Sequence, residues 1–305
     1  MQSNAQFNRP RLAIVGKGAI GGLIGFKCHQ LDYDYQHLIK SQSQSQSLFK
    51  VTDITGVSHN FTPSTSFMTQ PNSFDLLILP VKAYQVMPVL EQLEAFIQTK
   101  HTIVLLHNGM GTIEQVKSKL PNNPLVAATT SYGALKPDAN TLMETGLGQT
   151  HLGWLGDVDI KLKQLIEPIL STLLPPSNWH KDISLALWNK LAINAVINPL
   201  TAIHNLKNGE LAKQKYNIAI SNICWEIASV MQALGYATDH LKLIKNVQQV
   251  ITATANNYSS MHQDLKFERH TEIGFISGYV TSKAAELNIR VPHNQRLLEQ
   301  IRQLE

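Results

Sequence analysis

The chain has 305 residues, 43% hydrophobic and 16% charged, proportions that leave ample core for globular domains and exclude disordered or fibrous classes. Its 26 basic and 22 acidic residues give a net charge of +4, and no basic stripe interleaved with aromatics marks a nucleic-acid-binding face, so no nucleic-acid partner is expected. Two distant cysteines, Cys28 and Cys224, lack metal-ligand spacing, which sets aside a disulfide framework and a zinc site.

Residues 1–10 are polar and lack the apolar core of a signal peptide. No apolar run approaches the roughly 20 residues that span a bilayer, so a cytoplasmic protein without a membrane partner is expected. Residues 11–15 read as a buried strand, followed by Gly16-Lys17-Gly18-Ala19-Ile20-Gly21 and a helical pattern through Leu23, Ile24 and Phe26, with Gly25 serving close packing. A Gly-x-Gly-x-x-Gly turn in this strand-turn-helix order suits the pyrophosphate of a dinucleotide. Gly16 permits the tight turn, Gly18 lets the backbone approach the phosphates, and Gly21 lets the helix pack on its strand. The phosphate then meets free N–H groups at a helix N-terminus. Lys17 either adds charge near the pyrophosphate or faces solvent.

A second strand is expected at 35–39, with Lys40 at its end, where this fold meets the adenosine ribose. A cation there suits the 2′-phosphate of NADP; an ordinary surface lysine is the alternative. The serine–glutamine run at 41–47 reads as a low-complexity, mobile loop. Strands at 74–79, 102–106 and 125–130 alternate with helices at 84–97 and 112–120, the pattern of a parallel, doubly wound sheet. Hairpin-like strands follow at 141–154, and then a helix at 161–174 before Pro175-Pro176. The expected domains are an NADP-binding Rossmann domain at 1–177 and an all-helical substrate domain at 178–305. Helices in the second are expected at 185–197, 210–234, 239–256, 261–267, 273–287 and 293–303. The substrate site is expected between the two domains.

Lys190, Asn194 and Asn198 recur every four residues and share one face of a helix. An amphipathic helix with its lysine in water is the plain reading. The segment is unusually apolar, however, and amides are poor choices for a solvent face. A lysine in a pocket could donate a proton to a ketone oxygen, while the amides hydrogen-bond a small polyoxygenated substrate. Asn108, at the carboxyl end of an expected strand, could contact the nicotinamide ribose or the substrate, or simply form an Asn-Gly turn. The serines before the helix at 261–267 could hold a carboxylate or only cap the helix. Glu272 could keep a nearby Lys190 charged, or cap a helix start. The twelve histidines show no metalloenzyme spacing, so no metal is expected.

These motifs, together with Val81-Lys82-Ala83, Asn208-Gly209-Glu210, residues 259–264 and residues 269–273, resemble the ketopantoate reductase (2-dehydropantoate 2-reductase) family nearly end to end. The resemblance implies NADPH-dependent reduction of ketopantoate to (R)-pantoate in pantothenate synthesis, by a monomer or homodimer. It makes Lys190 the proton donor and Glu272 an assisting group that also contacts the cofactor. Asn194, Asn198, Asn208, Asn257 and Ser260 match substrate-contacting positions, and Lys82, Asn108 and Ala134 match positions around the cofactor. Many members carry arginine where this chain has Lys40, and Lys17 within the turn is unusual. A reductase of another branched 2-oxo acid and a non-catalytic NADP-sensing module are the alternatives.

Overall fold

The computed structural model describes residues 9–40 and 48–305, so the 41–47 run lies outside the described residues. Two compact units emerge: one holds residues up to 107 together with Thr112–Ile183, the other Asn108–Gly111 together with Ser184–Glu305.

The first unit starts with β1 (Leu12–Val15), α1 (Ala19–Gln30) and β2 (Tyr35–Ile39), followed by the short strands β3 (Phe49–Thr52), β4 (Ser58–Phe61) and β5 (Thr65–Phe67). It continues through β6 (Leu76–Leu79), α2 (Val86–Gln92), β7 (Thr102–Leu106), α3 (Thr112–Lys119) and β8 (Leu125–Thr130). It ends with β9 (Gly133–Leu135), β10 (Thr141–Gly146), β11 (Thr150–Trp154), α4 (Ile160–Leu173) and β12 (Ser177–Trp179). The main sheet has the order β12-β11-β8-β7-β6-β1-β2-β5. Its central strands are wholly buried because both faces are covered. Leu12 and Ile14 face one core with Leu23, Phe26 and Ile169, while Ala13 and Val15 face the other with Leu79, Leu90 and Val116.

Three sequence expectations change here. The sheet is mixed rather than wholly parallel, since β11 runs antiparallel to β8. Residues 141–154 are not a hairpin: β10 joins a second sheet, ordered β4-β3-β10-β9, whereas β11 enters the main one. The chain changes sheets beside Gly148, where a Cβ would lie 2.2 Å from the backbone nitrogen of Tyr132, so only glycine lets the strands cross that closely. The helix expected at 84–97 contracts to α2 between 3-10 turns at Ala83–Gln85 and Glu94–Phe96. Pro88 has no N–H to return to residue 84, which disfavours a continuous α-helix starting there.

The second unit is helical: α5 (Ser184–His204), α6 (Asn217–Ala233), α7 (His240–Ala253), α8 (Ser260–Lys266), α9 (Ser277–Glu286) and α10 (Pro292–Leu304). Around α5 pack α6, α7, α8 and α10, and its Trp188 is 1% exposed. It runs past the expected end at 197, carrying Pro199 inside it. The pattern expected at 210–234 begins instead as 3-10 turns at Asn208–Ala212 and Gln214–Tyr216. The helix expected at 273–287 is interrupted at Ile276, whose ψ of −92° is not helical. A buried carboxylate on α6 caps α10 from outside, as Glu226 accepts from the backbone N–H groups of His293 and Asn294 and from the Asn294 amide. Among the described residues no helix is long and apolar enough to cross a membrane.

Gly25 in α1 has a specific neighbour. A Cβ there would lie 2.1 Å from Nε2 of His37, whose ring is 1% exposed and fixed by an Nδ1 hydrogen bond of 2.9 Å to the Gly16 carbonyl. Burial pushes the His37 pKa down to about 4, so the ring is neutral and donates from Nδ1 to that carbonyl. Gly25→Ala should lower unfolding free energy by about 1–3 kcal/mol in urea melts, because overpacking outweighs the roughly 0.5–1 kcal/mol a helix usually gains from alanine. An unchanged or higher midpoint would show that the ring yields.

Candidate active site

The candidate site residues fall into two sets, one in each unit. In the first, β1 ends at a turn in which Gly16 adopts φ +75°, a conformation that favours glycine, and donates 2.9 Å to the Leu38 carbonyl of β2. Gly18 is the N-cap of α1 in extended conformation, with no side chain capping the helix and no acidic residue in its first turn. A Cβ on Gly21 would stand 3.0 Å from the Gly16 carbonyl oxygen, so glycine there keeps helix and turn in close contact. Ala19 and Ile20 pack against the core, leaving their backbone as the part that can serve a ligand.

Beside this turn opens a cavity of about 630 Å³, lined by Gly16, Lys17, Gly18, Leu38, Lys40 and Lys136 together with Tyr84, Gln85 and Val89. Lys17 is 9% exposed, so of its two expected settings the solvent-facing one does not occur. Loss of hydration pulls its ammonium below the ordinary lysine value. Lys40 is exposed at the end of β2, on the cavity wall. Helix-start N–H groups, open space over Gly18 and three lysines fit a phosphate-bearing dinucleotide. Lys82 is half-buried just after β6, with its N–H donating 3.2 Å to Gln85 Oε1. Ala134 lies in β9, paired with Glu144 and packed against the core.

In the helical unit, α5 holds Lys190, Asn194 and Asn198 on one face, with Lys190 half-buried and each asparagine 7% exposed. Desolvation lowers the Lys190 pKa. Asn108 belongs to this unit through the loop Asn108–Gly111, pinned by a 2.8 Å bond from the Met110 N–H to the Phe275 carbonyl. Gly109, at φ +80°, leaves no room for a side chain, because a Cβ would meet that carbonyl oxygen at 2.6 Å. The loop sets Asn108 between two other groups: its Oδ1 accepts from the Asn194 amide at 3.4 Å, and its Nδ2 donates to Glu272 Oε2 at 3.5 Å. Both contacts are at the outer limit of hydrogen bonding, so this network can tighten around a ligand. Glu272 is 3% exposed.

The remaining expected residues separate. Asn208 is buried, with its Nδ2 donating 2.9 Å to Thr254 Oγ1 and its N–H donating 2.9 Å to the Asn257 carbonyl. Its Oδ1 is buried without a hydrogen-bond partner. Asn257 and Ser260 are exposed. The cap of α8 is Ser259 rather than Ser260: its Oγ accepts from the His262 N–H and lies 2.7 Å from the Thr201 hydroxyl on α5. Sequence reasoning did not single out Lys136, Gln85 or Thr201, and it left open which of the two serines before α8 caps the helix. Gln85 stands three residues after Lys82, a spacing that could have flagged it, and Thr201 continues the helical face that Lys190 begins.

A family model described as "Ketopantoate reductase PanE/ApbA" matches residues 12–157, and one for its C-terminal domain matches residues 182–305. A 2-dehydropantoate 2-reductase of Vibrio cholerae is 36% identical over 294 residues, spanning 96% of this chain and 97% of that protein. One from Escherichia coli O157:H7 is 42% identical over 76% of this chain and 74% of its own. The crystal structure of a probable 2-dehydropantoate 2-reductase from Bacillus subtilis superposes with a TM-score of 0.77 at 27% identity, covering 97% of this chain and all of that one. Turn, cavity and lysine-asparagine face therefore stand in a chain that belongs to the ketopantoate reductase family.

Proposed function

We propose that this protein reduces 2-dehydropantoate to (R)-pantoate with NADPH, and that Lys190 is the proton donor. The observation that carries the proposal is a half-buried ammonium, made more acidic by lost hydration, on the same helix face as two buried amides. A general acid works best when its pKa lies near the working pH, and desolvation moves a lysine in that direction.

The backbone of Gly16, Gly18, Ala19, Ile20 and Gly21 would hold the pyrophosphate, while Lys40 takes the 2′-phosphate and Lys82, Asn108 and Ala134 adjoin the remainder of the cofactor. When bound, the nicotinamide supplies the hydride to C2. Lys190 stabilises the negative charge that grows on the former ketone oxygen and transfers its proton there, ending as a neutral amine that recovers a proton from water. Asn194 and Asn198 offer amide groups that orient the substrate. Asn208 Oδ1, buried and without a partner, is suited to accept from the substrate hydroxyl, since an unmet acceptor of this kind otherwise costs about 1–3 kcal/mol. Ser260, with Asn257 nearby in sequence, would meet the carboxylate. Glu272 acts through Asn108, which holds it in register with Asn194.

Purified protein mixed with NADPH and ketopantoate should consume reduced-nicotinamide absorbance, faster than with other branched 2-oxo acids and faster than with NADH. No consumption, or a faster rate on another 2-oxo acid, would contradict the assignment.

Lys190→Met provides a second check with two opposed readouts. The mutation should reduce kcat by about 10²- to 10⁴-fold while leaving NADPH affinity nearly unchanged. It should also raise the melting temperature at pH 7. A lysine whose folded pKa lies below its unfolded value penalises the fold while charged, and that penalty fades only as pH climbs from the folded value towards 10.5. A variant that keeps full turnover would remove Lys190 from the chemistry.

A further inference from the structure

Lys136 follows β9 in the small sheet, outside every motif that marks the cofactor site, yet its side chain ends at the glycine turn. Its Nζ donates 2.7 Å to the backbone carbonyl of Lys17 and stands 5.6 Å from the centre of the Phe49 ring. One of three ammonium N–H groups is thus committed to the turn, and the ring attracts the cation without using a donor. Lys136 also lines the cavity that Gly18, Leu38 and Lys40 line. Loss of hydration lowers its pKa, as does the neighbouring charge of Lys17, with exposed Asp138 acting in the opposite sense. Two like charges drawn together beside an open cavity favour a multiply charged anion within it.

We propose that Lys136 is a second cation for the 2′-phosphate of NADPH, supplied by the small sheet, and that it sets cofactor selectivity jointly with Lys40. The assignment rests on NADPH being the cofactor. Lys40 is a point charge at the end of β2 and lacks the bidentate fork that arginine would offer a phosphate. A second lysine, steered by a backbone carbonyl and an aromatic face, supplies the direction that one flexible ammonium lacks. The connection also gives the four-stranded sheet a role beyond packing, because it delivers this side chain to the turn.

The test measures binding without turnover. Adenosine 2′,5′-bisphosphate and 5′-AMP differ only by the 2′-phosphate, and both are titrated calorimetrically at low salt into wild type, Lys136→Met and Lys136→Arg. Methionine keeps the aliphatic stem over Phe49; arginine keeps the charge. Lys136→Met should weaken bisphosphate binding about tenfold, leave 5′-AMP within twofold, and be rescued by Lys136→Arg. Equal weakening of both ligands would make Lys136 a structural clamp of the turn and overturn the proposal, as would unchanged binding of both. If wild type itself fails to prefer the bisphosphate, the NADPH assignment falls; if wild type prefers it and Lys136→Met prefers it by the same factor, only the role of Lys136 falls.

Discussion

Keeping a lysine ammonium partly out of water opposes folding, and α5 is built to bear that penalty. The helix is 21 residues long and buries Leu187, Trp188, Leu191, Ala192, Ala195 and Val196 around the one cation. Apolar burial contributes about 25 cal/mol for each Å² removed from water, so one such helix can offset a desolvated charge. The same apolar setting that taxes the charge makes it a readier acid. Asn194 and Asn198, one and two turns further on, are the polar groups that the helix can bury because they can hydrogen-bond. If Lys190 is the proton donor proposed above, folding energy and chemistry are linked at one position.

Glycine performs the matching service at the other set of residues. Gly16 turns the chain at positive φ, Gly21 admits the helix against the turn, and Gly25 leaves room for the His37 ring that holds the Gly16 carbonyl. The turn is consequently fixed from below by a neutral imidazole and from the side by the Lys136 ammonium, each bonded to a backbone carbonyl of the turn. A phosphate would meet a preformed cradle, with little ordering left to be done on binding. In the helical unit, Gly109 plays a similar part, since the space it leaves lets Phe275 fix the loop that carries Asn108.

Much of this was legible in the sequence where local chemistry and burial agree. The glycine turn, the buried strands β1, β2, β6, β7 and β8 and the helical second half each follow from apolar periodicity with glycine or proline punctuation. Of the four-stranded sheet only β10 was legible, within the strands expected at 141–154; Ser58–Phe61, for example, is short and largely exposed and carries no alternating apolar signal. Nor was the antiparallel entry of β11, which depends on a crossing at Gly148 rather than on any pattern within the strand. Regular spacing was enough to place Lys190, Asn194 and Asn198 on one face of α5. Lys136 stayed hidden because its partners, the Lys17 carbonyl and the Phe49 ring, are 119 and 87 positions away in the chain. Ser259 and Ser260 are adjacent, and only the fold shows which one caps the helix.

The central claim is that the ammonium of Lys190 is acidified by its surroundings and gives up the proton that completes reduction. It is tested most directly by the pH dependence of kcat under saturating NADPH and ketopantoate. An acid that must be protonated loses activity as pH rises through its pKa, so kcat should fall on the alkaline side with a midpoint below the ordinary lysine value of 10.5. That limb should be absent from the residual activity of Lys190→Met. An alkaline limb that persists unchanged in the variant, or a wild-type profile that stays flat up to the ordinary lysine range, would contradict the account.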